Sequence, residues 1–551
     1  MRLDRKEYEQ TARRAVSEGV VLLKNRGNVL PISGGTKVAL FGRIQSHYYK
    51  SGTGSGGMVN AGKVWTIPEA LEENGIVLNE ALKEIYRKFD EENPIDCGAG
   101  FGSEPWSQAE MPLSKETAIE MAKQSDIAIV LIGRTAGEEQ DYADAKGAYR
   151  LSDIEREMLF NVRGAFDRVI VLMNVSAVLD MTDIEEADPD AILYAWQGGE
   201  VGALGAADVI TGKVSPSGHL TDTIARRIGE TPAYPNFGRT DYNCYAEDIY
   251  VGYRYYSTFD RKAVLYPFGF GLSYTEFEIE PGEFVLKDSL GKIIAPEDEL
   301  FVKKVIDDEG AKLSFTFKVK NTGKTSGKEV VQLYLCAPQG ALGKPDLSLA
   351  GFAKTEEIAP GESRLVTIAF APYSIASYDD SGATGNPFSY VLEAGEYRFL
   401  AGDSSDRLKA AGSFMLGETL VMDRLSSQMA PVRAFKRLRP GGATAGRESR
   451  EIPGCENLPE YGKEYEDVPL AKKRDIETAK ADKPDFLAYS GDKGIKLKDV
   501  RDGKVPMEEF LAQIPDEELA AIVRGEGMGS PKVTAGTAAA FGGVSPFLKE
   551  L

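Results

Sequence analysis

The sequence predicts a layered α/β domain with a mostly parallel sheet, followed by a β-sandwich. Two observations carry that expectation. A short strand-like run, Lys37 to Gly42, and the all-apolar runs Ile127 to Ile132, Val169 to Met173 and Ala191 to Trp196 alternate with helical patterns up to about residue 230. Runs of this kind are what parallel strands buried on both faces look like. From residue 276 to about 420 the period changes to two, as in Leu313, Phe315, Phe317 and Val319 and then Val331, Leu333 and Leu335, which is the pattern of strands with one buried face.

Taken in order, residues 5–24 place Ala12, Ala15, Val16, Val20 and Leu23 on one helical face, so an amphipathic helix is expected to run into VVLLKN. Lys37 to Gly42 is a strand. It is followed by SGTGSGG, Ser51 to Gly57, which formally matches G-x-G-x-x-G, with a second strand at Ile76 to Leu78 ending beside Glu80. A dinucleotide fingerprint needs its glycines directly between strand and helix, so that the helix N-terminus meets the pyrophosphate. Here Arg43 to Ser51 intervene and MVNAGKVW follows. A mobile loop rimming a pocket fits this stretch better than nucleotide binding.

Ser114 to Lys123 reads as a helix. Ser152 and Glu155 form an S-x-x-E capping box, and Ile154, Met158, Val162 and Phe166 give the helix that follows one buried face. Residues 231–275, with DIYVGYRYYSTF and LYPFGFGLSYT, are dense in aromatics and glycine and are expected to wrap as anchored loops over a neighbouring domain. With NTGKTSG and APGES as turns, 276–425 reads as a sandwich of the immunoglobulin or fibronectin kind. Residues 426–490 read as a linker, and Met507 to Gln513 and Asp516 to Arg524 as short helices.

The whole chain of 551 residues is too long for one core and carries a net charge of −20. That balance argues against nucleic acid or an anionic membrane as partner. The basic run between Arg433 and Arg450 is short beside it. Cys97, Cys244, Cys336 and Cys455 have no C-x-x-C spacing, and His47 and His219 are the only histidines. Neither a metal nor another cofactor is therefore expected, and free thiols suit a reducing compartment. MRLDRKEYEQ has no apolar signal core and no run of 18 apolar residues occurs, so a cytoplasmic setting without a membrane span is expected.

The stretch with most chemistry is SDIAIVLIGRTAGEEQDYAD, Ser125 to Asp144. A central strand stops at Gly133 and opens into a loop with Glu138, Glu139, Asp141 and Asp144, at the strand end where open α/β sheets put their sites. By local pattern alone a solvated acidic loop is the stronger reading.

Five segments in order change that weighting: SGTGSGG, IVLIGRTAGEEQD, YAWQGGEVG, GKVSPSGHL and DIYVGYRYY…YPFGFGLSYT ahead of a fibronectin-like region. Together they resemble glycoside hydrolase family 3, the β-glucosidase family, in its inverted domain order. The resemblance implies an α/β sandwich over 1–230, the aromatic connection over 231–275, a fibronectin type III-like domain over 276–425, and the start of an incomplete TIM barrel over 491–551. It implies a retaining two-carboxylate hydrolysis of β-D-glucosides, with Glu138 as acid/base and Glu139 as its rival. Thr53 and Ser55 would contact the sugar. Asp141 is more simply a solvated loop residue, His219 a turn cap, and Trp196 as readily core as sugar platform.

In that family the nucleophile is an aspartate of the barrel, to which no residue here corresponds. The chain alone is thus expected to be inactive, with a barrel domain from another chain and a β-glucoside or oligosaccharide as its partners. A non-catalytic carbohydrate-binding or interaction module is the alternative. Glu138 and the barrel-like C-terminal segment favour the enzyme, because a binding module needs neither.

Overall fold

The computed structural model describes residues 4–54, 57, 61–100, 102–138, 140–298, 301, 308–427, 430–443, 461–471 and 487–524. Of the expected barrel start, 491–524 is described and 525–551 lies outside the described residues. Within it, Leu497–Arg501, Met507–Ala512 and Asp516–Arg524 are helical.

The first domain is built on six strands, β1 (Val21–Asn25), β2 (Lys37–Phe41), β3 (Val77–Leu78), β4 (Ile127–Gly133), β5 (Val169–Asn174) and β6 (Ala191–Tyr194). Their order is β1-β6-β5-β4-β2-β3. All neighbours are parallel except β1, which runs antiparallel to β6 at the edge. β4 and β5 are buried along their whole lengths, which explains their unbroken apolar runs.

Helices cover both faces. α1 (Arg5–Gly19), α2 (Ile67–Glu73) and α7 (Gly202–Ile210) pack one side, with Ile67, Leu71, Leu204 and Val209 in its core. α3 (Glu80–Glu92), α4 (Lys115–Ala122), α5 (Asp153–Ala165) and α6 (Thr182–Ala187) pack the other, through Tyr86, Met121, Met158 and Ile184. α1 stops at Gly19 rather than running on, and VLLKN is the antiparallel edge strand. A short apolar run after a helix carries no period that separates the two possibilities.

The aromatic stretch also holds more regular structure than loops. α8 (Tyr253–Phe259) is a helix whose Tyr255, Tyr256 and Phe259 are all buried. Its apolar residues face several neighbours, so no amphipathic period marks it. The second domain has two four-stranded antiparallel sheets. Leu313, Phe315, Phe317 and Val319 point inward at 0–1 % exposure, and Phe284 stacks on Phe315 at 4.2 Å in the core between the sheets. Within 426–490, Lys436–Ala443 and Tyr461–Asp467 pair as an antiparallel hairpin.

The two domains are joined by buried polar contacts. Gln332 donates to Gly269 O and Asp403 O. Glu18 receives Lys328 at 2.7 Å and Lys354 at 3.2 Å. His219 bonds Gly269 O through Nδ1 at 2.6 Å and lies 3.1 Å from Glu329 through Nε2. Burial disfavours the imidazolium, yet Glu329 and Gly269 O outweigh it and raise the His219 pKa. A raised histidine pKa gives stability that is whole below about pH 6.5 and is lost as pH rises through the folded value. We expect the melting temperature to fall between pH 6 and pH 8 by more in the wild-type chain than in His219→Gln, measured by calorimetry. Parallel pH profiles would show that the pair contributes no linkage.

Candidate active site

β2 is the switch point of the sheet, because the chain goes from it to β3 on one side and later to β4 on the other. Open α/β sheets bind ligands beyond the carboxyl ends of strands at this point. The loops that leave β2 and β4 there are the glycine loop, 51–57, and the acidic loop, 134–150.

They are docked on each other. Thr53 N donates to Ala136 O at 3.1 Å, and Thr53 and Gly137 form a parallel bridge. A Cβ on Gly52 would lie 2.3 Å from Ala136 O, one on Gly137 2.5 Å from Thr53 O, and one on Gly54 2.5 Å from Glu138 Cβ and 2.9 Å from its Oε2. The glycines are therefore where two backbones touch, which is a different use from cradling a phosphate. A freely mobile loop is not what these contacts describe.

The acidic loop is held from below by Arg134, which is fully buried. Its guanidinium grips Glu155 with Nη1 to Oε1 at 2.6 Å and Nη2 to Oε2 at 2.7 Å. It also donates to Gly133 O, Ala148 O and Arg150 O. Glu155 closes the capping box as well, accepting from Ser152 N at 2.7 Å. The box was legible, whereas Arg134 read as one more loop charge. A neighbouring anchor also escaped the sequence reading. Glu110, 8 % exposed, accepts from Arg43 N and Met111 N and ties a second loop to the end of β2. Burial pushes its carboxyl up to about 7 despite those bonds.

The structure brings Thr53 and Glu138 together. Glu138 is exposed on the rim. Thr53 is 4 % exposed and its Oγ1 has no hydrogen-bond partner among the described residues. Ser55 and Glu139 lie outside the described residues. Asp144 is taken by Arg150 at 2.6 Å and by the Tyr234 hydroxyl at 3.0 Å, and Asp141 is exposed. His219 sits at the domain junction. Trp196, with φ +55°, follows β6 and tilts against Tyr194 at 5.1 Å, and Asn174 donates to its carbonyl. No group of histidine, cysteine and carboxylate side chains suited to a metal occurs among the described residues, nor is any helix there long and apolar enough to cross a membrane.

Residues 20–274 match the glycosyl hydrolase family 3 C-terminal domain, and residues 329–405 match a fibronectin type III-like domain. The chain belongs to glycosyl hydrolase family 3. It is 46 % identical over 551 residues to a beta-glucosidase of Ruminococcus albus, covering 100 % of this chain and 54 % of that one. It is 35 % identical to beta-glucosidase A of Butyrivibrio fibrisolvens, covering 93 % of this chain and 64 % of the relative. The solved beta-glucosidase of Paenibacillus barengoltzii superposes with a TM-score of 0.88 at 43 % identity, over 100 % of this chain and 57 % of its own. The chain thus spans about half to two thirds of the length of these family 3 proteins.

In this family 3 domain, Arg134 and Glu155 set the height of the acidic loop. Removing one partner of a buried pair leaves the other charge uncompensated, at about 3–5 kcal/mol. We expect Arg134→Leu to lose about that much stability in urea unfolding of the 551-residue chain, and Glu138→Gln to lose less than about 0.5 kcal/mol. Equal losses would mean that Arg134 does not hold the loop.

Proposed function

We propose that this chain supplies the acid/base of a retaining β-glucosidase, with Glu138 as that group. The observation that supports this most is the placement of Glu138 on the strand-end loop at the switch point, pressed over the glycine loop. In such an enzyme a carboxylate attacks the anomeric carbon while the acid protonates the glycosidic oxygen. The aglycone leaves, a glycosyl-enzyme forms, and the same acid, now a carboxylate, takes a proton from the water that releases the sugar.

The acid step needs a carboxyl that stays protonated near neutral pH, and so one covered by an apolar or like-charged surface. Glu138 is exposed here, so the covering surface has to be the one that brings the nucleophile. None of the 551 residues is assigned as the nucleophile. A TIM-barrel domain closing over the rim, from whichever chain supplies it, would provide both. Thr53 and Ser55 are assigned to the sugar hydroxyls. A hydroxyl reaching Thr53 Oγ1 would satisfy that atom, and requires the 51–57 loop to shift off Ala136 to Glu138. The free thiols of Cys97 and Cys244 suit a reducing, cytoplasmic setting.

The test is turnover of an aryl β-glucoside by the purified 551-residue polypeptide, alone and after addition of a separately expressed family 3 barrel. We expect none alone, because one carboxylate cannot run a double displacement, and turnover on addition that Glu138→Gln lowers by about 10²–10⁴-fold. Turnover by the polypeptide alone, lost in Glu138→Gln, would contradict the division of labour. Complemented turnover that Glu138→Gln leaves unchanged would contradict the role of Glu138.

A further inference from the structure

A cavity of about 620 Å3 opens where three separated parts of the chain meet: the segment entering α8, the strands of the second domain, and the hairpin of Lys436–Ala443 and Tyr461–Asp467. Its size is that of a small-molecule site. Tyr378 and Tyr390 form one wall, their ring centroids 5.2 Å apart, and Tyr373 continues the row 5.2 Å beyond Tyr390. Tyr373 and Tyr378 are 42 % and 38 % exposed. Rings that stand side by side with about two fifths of their surface in solvent are the kind of surface on which a ligand packs.

The polar wall faces them. Arg437 donates to both oxygens of Asp380, at 2.5 and 2.9 Å, and to Glu466 at 2.8 Å. Arg439 reaches the other oxygen of Glu466 at 2.6 Å. The turn that carries Asp380 is fixed by Asp379, fully buried, whose carboxylate accepts the amides of Ser381, Gly382, Ala383 and Thr384 and the Thr384 hydroxyl. The guanidiniums are matched by carboxylates, so the wall offers many fixed donors and acceptors with little net charge. With their charges paired, Arg437 and Arg439 offer a phosphate or a polyanion less than unpaired guanidiniums would.

We propose that this cavity and its tyrosine row bind a neutral oligosaccharide. The C–H faces of a pyranose are apolar and slightly positive and pack on the negative face of an aromatic ring, while its hydroxyls, each both donor and acceptor, suit paired Arg and Asp side chains. None of the elements involved carries Glu138, so the inference stands whatever the fate of the acid/base assignment.

The probes are cellotetraose and laminaritetraose, titrated calorimetrically into the full 551-residue chain, with tetragalacturonate as the anionic counterpart. We expect at least one neutral tetraose to bind, and Tyr378→Ala and Tyr390→Ala each to weaken it about tenfold with unchanged circular dichroism. Tyr378→Phe, which keeps the ring, should stay within about threefold. Should an alanine variant misfold, nitration of the wild-type chain gives the same answer, since bound tetraose should shield Tyr378. No binding of either neutral sugar would overturn the proposal. So would binding that both alanine variants retain, no shielding of Tyr378, or tighter binding of tetragalacturonate.

Discussion

The pair of Arg134 with Glu155 is the constraint on which the rim of the first domain depends. Seven strand residues bring the chain to Gly133 along a fully buried strand, and the next residue turns a guanidinium back into the interior. Its fork takes up the carboxylate of α5 and three backbone carbonyls, so that loop, strand end and helix start share one anchor. A buried pair of this kind adds little over apolar packing, yet losing one member costs much. It fixes position, and position is what a strand-end loop needs if a side chain four residues on is to meet a reacting atom.

The same logic of fixed backbones runs through the glycine motifs. Gly52, Gly54 and Gly137 allow two loops separated by some 80 residues of chain to touch. Gly218 and Gly271 do the same where the first domain hands over to the second, a Cβ on Gly271 falling 2.2 Å from Gly218 O. Beside them, His219, Gln332 and Glu329 join the domains through buried polar contacts.

Much of the fold was legible because burial on both faces writes itself as apolar runs, as in Ile127 to Ile132, and burial on one face as alternation, as in Leu313 to Val319. The capping box at Ser152 and Glu155 was legible because it is local. What stayed hidden depends on distant partners. Arg134 looks like any loop arginine until Glu155 lies against it, and SGTGSGG, which its context already set apart from a phosphate loop, shows nothing of its contacts with Ala136 and Glu138. VLLKN is too short to show whether it continues a helix or forms an edge strand, and α8 shows no amphipathic stripe because Tyr255, Tyr256 and Phe259 are covered on several sides. Glu138 stood out only through the resemblance of its surroundings, since an exposed glutamate in an acidic loop has no signature of its own.

The most direct measurement compares Glu138→Gln and Glu139→Gln in the barrel-complemented enzyme, using one substrate with a poor leaving group and one with an activated aryl group. General-acid help is worth about 10²–10⁴-fold when the leaving group is poor and little when it departs unaided. The account predicts a loss of that size for Glu138→Gln on the poor leaving group, a much smaller loss of the aglycone-release step on the activated one, and near-normal rates for Glu139→Gln. A loss confined to Glu139→Gln, or one in Glu138→Gln that ignores the leaving group, would contradict it.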